Sequence, residues 1–239
     1  MSAIATNLPA IIGITGRKYS GKDTLGDFLV TNYGYERIAY ADALKEVARI
    51  IFDFDDTQLY GDNKETPDEY WNITPRQAFQ FIGTDLFRNN CHKLFNTSHT
   101  NKDIWIRVVK RKIMNRLKTN PNAKFVVTDI RFPDELDAVK DLGGITIKIK
   151  RDTTEKRITS LKTDIATITN SLSDPNQTLA SLENTIKQLE QIKNTWHDTV
   201  KIDTHESEIL IDSLITDHTF SNNKTKDELF VQVQDALGL

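Results

Sequence analysis

The chain has 239 residues, 38% of them hydrophobic and 27% charged, a length that fits one large domain or one domain with an insertion. Its net charge of −3 argues against a nucleic-acid or membrane-surface protein, and no segment approaches the roughly eighteen apolar residues that cross a bilayer. The single cysteine, Cys91, excludes an internal disulfide and fits a reducing compartment, so we expect a soluble, cytoplasmic protein.

The first predicted elements are a strand, a glycine-containing loop and a helix. Ala10–Thr15 is a short apolar, β-branched run, and a helical pattern follows the loop. Arg37–Tyr40 is predicted to be a second short strand, leading into a helix whose apolar face begins at Ala41. The polar segment 53–71 is expected to be a mobile loop.

Two further helices and a third strand are predicted in the middle of the chain. Thr74 supplies a hydroxyl cap and Pro75 suits the first helical position, so a helix begins here and bends near Gly83. Asp103 is expected to cap the next helix. Phe125–Asp129 is predicted to be a buried strand.

Strand and helix then alternate again. Pro133 opens a helix that ends at a Gly-Gly pair, and Ile145–Lys150 alternates as a fourth strand. A last strand is predicted near Thr219–Phe220, followed by a terminal helix. Strands that alternate with helices predict an α/β fold, with a parallel sheet covered on both faces.

Apolar residues after the fourth strand follow a strict spacing of three and four. This spacing predicts an antiparallel helical hairpin with arms near 153–172 and 175–197. The narrow apolar stripe indicates that the arms bury mainly against each other. We therefore predict a core formed by 1–151 and 199–239, with 152–198 inserted into it.

A glycine-rich loop of the form G-x4-G-K-x-T lies between the first strand and its helix. Backbone N–H groups of such a loop close around phosphate, the helix N-terminus favours the anion, and the lysine reaches its oxygens. Thr24 is our first choice for Mg²⁺, and Asp23 could instead orient substrate or metal-bound water. The candidate cofactor-binding residues are Gly16, Arg17, Ser20, Gly21, Lys22, Asp23 and Thr24.

Two charged residues mark the end of the third strand. Asp129 lies where P-loop enzymes usually place a carboxylate that holds Mg²⁺ or orients its water. Arg131 follows at the sheet edge where α/β proteins bind ligands. The alternative for this segment is a capped turn with a local ion pair.

Further candidate substrate-binding residues lie on two of the predicted helices. Asp42 and Lys45 follow the second strand, and they could equally be a helix-start acid and a solvated lysine. Arg76, Gln80 and Arg88 recur at helical spacing and can share one face. Arginines suit a phosphate and glutamine suits a base edge.

Seven segments of the chain, taken in order, carry a resemblance to a known family. They are 16–24, 41–45, 83–86, Trp105, 127–131, 203–208 and 227–229. Together they resemble the bacteriophage deoxynucleoside monophosphate kinases, in the adenylate-kinase-like division of P-loop proteins. The resemblance covers most of the chain apart from roughly 152–200.

The resemblance implies ATP-dependent phosphorylation of deoxynucleoside monophosphates to diphosphates, with Mg²⁺. Lys22 would stabilise charge on the transferred phosphoryl group, with Asp129 and Arg131 completing the catalytic set. Arg76, Arg131 and Trp105 would bind the acceptor, the tryptophan by stacking. The hairpin departs from the family pattern: it occupies the place of the lid that closes over ATP, and it could also serve to form a homodimer. For a phage protein the location would be the host cytoplasm.

Two alternatives stay open. One is a kinase of another small phosphorylated acceptor, such as dephospho-coenzyme A, on the same general fold. The other is a nucleotide-gated interaction protein, in which the hairpin binds a partner and the glycine loop acts as a switch. Phosphorylation of a panel of acceptors separates these possibilities, because the interaction protein phosphorylates none of them.

Overall fold

The computed structural model describes residues 8–90, 103–152 and 206–239, together with positions 93, 163, 184, 186, 187 and 190. The strands of this part are β1 (Ile11–Thr15), β2 (Tyr35–Ile38), β3 (Lys124–Ile130), β4 (Ile145–Lys150) and β5 (His218–Ser221). They form one sheet in the order β2-β3-β1-β4-β5, and every neighbouring pair is parallel. The predicted α/β class with a parallel sheet is therefore confirmed.

The helices of the described part are α1 (Lys22–Tyr33), α2 (Tyr40–Phe52), α3 (Asp56–Leu59), α4 (Pro75–Gln80), α5 (Ile104–Thr119), α6 (Pro133–Asp141), α7 (Glu206–Ser213) and α8 (Lys226–Leu237). A 3-10 turn lies at Asn63–Glu65, and a π-helix at Phe81–Arg88 continues α4. The bend predicted near Gly83 is thus a π-helical stretch. Trp71 lies outside these helices, in the irregular segment that precedes α4.

The segment 53–71 is not the plain loop that its polar composition suggested. It contains α3, which is capped in both directions. The Asp55 carboxylate accepts the N–H of Gln58 at 2.9 Å, and the Gln58 side chain accepts the N–H of Asp55 at 3.0 Å. Such reciprocal bonds satisfy backbone groups that a four-residue helix leaves unpaired. The prediction of a mobile loop was wrong at α3, because side-chain caps stabilise a helix that has no apolar periodicity, whereas the mobility of the rest of 53–71 stays a prediction.

The sheet is buried on both faces, as expected for parallel strands. Phe125 and Val127 of β3 belong to a core shared with α2, α5 and α6, and Val126 belongs to a second core shared with α1 and α8. All three side chains have no exposed surface. Burying one such side chain stabilises the fold by about 1.5–3 kcal/mol. The continuous apolar run of β3 therefore indicates a strand in the interior of the sheet.

The carboxyl ends of β1 and β3 meet at one edge of the sheet. The Thr15 hydroxyl donates to the carbonyl of Ile130 at 2.8 Å, which joins these two ends directly. Ligands of open α/β sheets bind outside this edge. The loop before α1 and the chain after β3 therefore lie next to each other at the expected place for a site.

Some predictions concern residues that the structure does not describe. The helical hairpin at 153–197, apart from a few isolated positions, and the C-terminal boundary of the 152–198 insertion lie outside the described residues. Within the described ranges, no helix is both long enough and apolar enough to cross a membrane.

Candidate active site

The loop that joins β1 to α1 requires glycine at two positions. Gly16 has φ +153°, and a Cβ atom added there would lie 2.5 Å from the carbonyl oxygen of Ile149. Gly21 has φ +103° and forms the N-cap of α1, where an added Cβ would overlap the Asn222 amide. Only glycine adopts these conformations without strain and leaves the backbone N–H groups accessible.

Lys22 is the first residue of α1, and its ammonium group is bound back across the loop. Its Nζ donates to the carbonyl of Arg17 at 2.8 Å. Arg17 itself forms a two-point ion pair with Asp212 of α7, at 2.5 Å and 3.3 Å. Each of the two loop cations that were predicted to bind phosphate therefore has a partner within the protein.

Asn222 supports the glycine loop through a hydrogen bond to Ser20. The Asn222 side chain donates to the carbonyl of Ser20 at 2.8 Å, and its backbone N–H donates to the carbonyl of Lys150 at 2.8 Å. Both side chains are buried. The Ser20 hydroxyl has no hydrogen-bond partner within the described part of the chain. A buried hydroxyl of this kind is a donor that a phosphate entering the loop can use.

Sequence analysis missed Asn222. No motif surrounds it, and its partner in the loop is 202 positions away. The available signal was its place directly after the last strand, at the edge of the sheet where ligands bind.

Asp129 lies at the N-terminus of α2 and not only at the end of its own strand. Its two carboxylate oxygens accept the N–H groups of Tyr40 and Ala41, each at 2.9 Å. Desolvation raises the pKa of Asp129 above its ordinary value, and these two hydrogen bonds act in the opposite direction. Asp42 has a local role, since its carboxylate accepts the N–H of Ala39 at 2.9 Å. Both carboxylates therefore fix the start of α2 beside the glycine loop.

Glu135 connects Arg131 to Arg88. Its carboxylate accepts the backbone N–H of Arg131 at 2.8 Å and the guanidinium N–H of Arg88, also at 2.8 Å. Glu135 is 4% exposed, and burial raises its pKa to about 7. The Arg88 guanidinium also stacks on the ring of Phe132, 4.0 Å from its centroid. From the sequence, only a helix opening at Pro133 was predicted here, without this connection.

The remaining acceptor candidates differ in how they are held. Arg76 pairs with Glu65 of the 3-10 turn at 3.0 Å, and Gln80 is exposed. The Lys45 ammonium lies 4.1 Å from the centroid of the Tyr60 ring. Partial burial lowers the pKa of Lys45, and the positive charge of Lys64 lowers it further by a smaller amount. Cations that approach each other in this way suit a site for anions.

Trp105 is buried, with 7% of its surface exposed. Its indole N–H donates to the carbonyl of Gly83 at 2.9 Å, and its ring meets that of Phe87 edge-on at 5.3 Å. These contacts give Trp105 a packing role against the π-helix. Direct stacking on an acceptor base stays a prediction.

The oxygen ligands proposed for Mg²⁺ come from two elements. Asp23 and Thr24 are exposed on the first turn of α1, and Asp129 lies at the sheet edge. Among the described residues, no three His, Cys, Asp or Glu side chains form a group that could hold a metal by themselves. Magnesium in kinases commonly takes one or two carboxylates together with substrate phosphates. The assignment of Thr24 and Asp129 to the metal stays a prediction.

Comparison with known proteins identifies a family, a viral relative and solved structures that resemble this chain. Residues 50–186 match the family model of the deoxynucleotide monophosphate kinases. A protein of Acanthamoeba polyphaga mimivirus, provisionally named a deoxynucleotide monophosphate kinase, is 38% identical over 144 residues, which cover 59% of this chain and 74% of that protein.

Solved structures with similar folds include two small-molecule kinases. Shikimate kinase from Acinetobacter baumannii, in complex with shikimate, gives a TM-score of 0.40 at 15% identity, with 98% of this chain and 95% of that chain covered. Dephospho-CoA kinase from Campylobacter jejuni gives 0.34 at 14% identity, with 95% and 97% covered. Likeness at this level carries no argument about the reaction.

Proposed function

Because the chain belongs to the deoxynucleotide monophosphate kinase family, we propose that it transfers the γ-phosphoryl group of ATP to the 5′-phosphate of a deoxynucleoside monophosphate. One observation carries the proposal at the level of residues. A phosphate-type glycine loop with its lysine follows the end of β1, which is bonded to the end of β3, and Asp129 of β3 holds the start of α2, the helix that carries Lys45. A phosphate loop and a second cation at one edge of the sheet suit two nucleotides.

In the proposed reaction, an oxygen of the acceptor phosphate forms a bond to the γ-phosphorus. The bond from that phosphorus to the β,γ-bridging oxygen breaks, and ADP leaves with the electron pair. Lys22 and the loop N–H groups would stabilise the charge that shifts to this oxygen. Arg131 would lie on the acceptor side, because Glu135, which accepts its backbone N–H, also binds Arg88 at the end of the π-helix that continues α4.

The residues at the sheet edge fit Mg²⁺ as the metal of the reaction. Each oxygen of Asp129 accepts one N–H and keeps further acceptor capacity, and Thr24 is exposed beside the loop. Thr24 and Asp129 would hold the ion, directly or through water. When bound, Mg²⁺ would neutralise charge on the phosphates of ATP.

Acceptor binding is proposed for the residues on α2, α4 and the end of β3. Arg76, Lys45 and Arg131 would bind the phosphate, Gln80 would face the base, and Asp42 would hold the start of α2. Arg88 and Trp105 would support this surface from behind, since both have buried partners within the protein.

Three parts of the proposal rest on sequence alone. The 152–198 segment would close over ATP as a lid, and it could also join two subunits. Cytoplasm is the proposed location, because one cysteine suits a reducing compartment and ATP is available there.

The proposal is tested by measuring ADP release with each of the common deoxynucleoside and ribonucleoside monophosphates, and with dephospho-coenzyme A. We expect turnover with at least one deoxynucleoside monophosphate. In Lys22→Ala that turnover should fall by about 100-fold or more, while the matched exposed variant Lys118→Ala keeps it. Phosphorylation of dephospho-coenzyme A alone, or of no acceptor, would overturn the proposal.

A further inference from the structure

The 3-10 turn at Asn63–Glu65 is attached to two elements of the acceptor side. Glu65 pairs with Arg76 of α4 at 3.0 Å. The Lys64 ammonium donates to the carbonyl of Tyr60 at 3.0 Å, and the Tyr60 ring is itself covered by the ammonium of Lys45. The turn is therefore held between α4 and the end of α3, where Tyr60 is contacted by Lys45 of α2, although it contains only three residues.

Lys64 interacts electrostatically with both halves of the site. The charges that act on it are those of Arg76, Lys18, Asp62 and Asp23. Arg76 belongs to the acceptor helix, whereas Lys18 and Asp23 belong to the glycine loop and the start of α1. Coulomb interactions weaken with distance and are screened by salt over about 10 Å. Lys64 therefore lies between the two proposed nucleotide sites, on a turn that the Glu65–Arg76 pair and its own bond to Tyr60 attach to the acceptor side.

Like and opposite charges both act on Lys64, and the like charges of Arg76 and Lys18 act more strongly than the opposite charges of Asp62 and Asp23. Desolvation is the first factor that lowers the pKa of Lys64, followed by the charges of Arg76 and Lys18. Phosphate groups placed among the three cations would remove that repulsion. The single hydrogen bond from Lys64 to Tyr60 is exposed, so it adds little to stability.

We propose that Lys64 binds phosphate at the junction of ATP and the acceptor, where it stabilises the phosphoryl group during transfer. The inference rests on the proposed function and adds a catalytic residue to it. A lysine here would act as a point charge on the equatorial oxygens, and no proton needs to move to or from it.

The first test compares steady-state kinetics of the parent, Lys64→Ala, Lys64→Arg and the exposed control Lys118→Ala, with the best acceptor from the panel. We expect kcat of Lys64→Ala to fall by about 100-fold, with both KM values changed far less. Lys64→Arg should recover most of the rate, because it restores the charge. Thermal unfolding of all variants should be nearly unchanged, since the hydrogen bond from Lys64 to the Tyr60 carbonyl that is lost is exposed.

The second test measures binding of adenosine joined by a pentaphosphate chain to the deoxynucleoside of the best acceptor, a probe designed to fill both sites at once. Lys64→Ala should weaken this probe by about 10-fold or more and leave the affinity for ATP alone close to that of the parent. A parent that phosphorylates a deoxynucleoside monophosphate, together with a Lys64→Ala variant of equal kcat and equal probe affinity, would overturn the inference alone. A parent without any such turnover would overturn the proposed function first.

Discussion

The side-chain amide of Asn222 donates a 2.8 Å hydrogen bond to the backbone carbonyl of Ser20, 202 positions earlier in the chain. The peptide unit that follows this carbonyl is planar and trans, so its N–H points away from the carbonyl oxygen. That N–H belongs to Gly21, the N-cap of α1. By holding one oxygen, Asn222 sets the direction of a donor that the loop presents to phosphate.

We expect Asn222→Ala to weaken ATP binding. The variant leaves the buried carbonyl of Ser20 unpaired, which costs about 1–3 kcal/mol, and it releases the Gly21 peptide. The Kd for ATP, measured by calorimetry, should rise by about 10-fold. Asn32→Ala is the matched control, because Asn32 is exposed and donates only within its own helix. Equal affinities for ATP in the two variants would show that Asn222 does not set the loop.

The second prediction concerns Glu135 and pH. Its pKa is raised from 4.5 to about 7 in the folded protein, so the folded state holds this proton more tightly than the unfolded chain. The stabilisation from this group is present below pH 4.5 and is lost as the pH rises through 7. Integrating over this interval gives a loss of about 3 kcal/mol.

Glu135→Gln removes this titration. Urea unfolding of parent and variant should be measured between pH 5 and pH 8, from about two units below the raised pKa to about one unit above it. As the pH rises over this range, the variant should gain stability relative to the parent. A difference between the two free energies of unfolding that stays constant across this range would contradict the assignment.

The third prediction separates packing from stacking at Trp105. Trp105→Phe keeps an aromatic ring and removes the N–H that satisfies the buried carbonyl of Gly83, which should lower the free energy of unfolding by about 1–3 kcal/mol. Trp71→Phe removes a similar bond to the carbonyl of Phe52 at a partly exposed position, so its effect should be smaller. The KM for the acceptor should hardly change. A large rise in that KM, with unchanged stability, would instead support stacking on the base.

The fourth prediction concerns the pair formed by Arg17 and Asp212. Both side chains are about half exposed, so the pair itself is worth only about 0.2–1 kcal/mol. If Arg17 binds phosphate, it must leave this partner, and Asp212→Asn should tighten ATP binding by about two- to fivefold at low salt. High salt should remove the gain. Asp227→Asn, at an exposed site on α8, should have no effect. Weaker ATP binding in Asp212→Asn would mean that Asp212 positions Arg17.

Most of the fold could be predicted from local pattern. β4 was predicted with its observed bounds, and the start of α4 followed from Thr74 and Pro75, whose caps are local chemistry. β2 lies slightly before the predicted Arg37–Tyr40, because Tyr40 already begins α2 and bonds to Asp129. Helix and strand boundaries shift where a distant side chain supplies the cap.

The site was less predictable because its connections span long sequence distances. Lys64 lies in a three-residue turn, too short for any periodicity, and it acquires a role only because Arg76 and Lys18 approach it in space. Glu135 resembles an ordinary acid in the first turn of a helix until the fold brings Arg88 to it. Residue type and spacing do not indicate which distant residues the fold brings close to each other.

The place of β5 in the chain also has a consequence for synthesis. Among the strands of the described residues, this edge strand pairs with β4 alone, and Asn222 follows it directly. A growing chain therefore completes the entire glycine loop long before it makes the amide that holds the loop in shape. The protein would therefore bind a nucleotide tightly only after β5 and Asn222 have emerged from the ribosome and packed against β4 and the glycine loop.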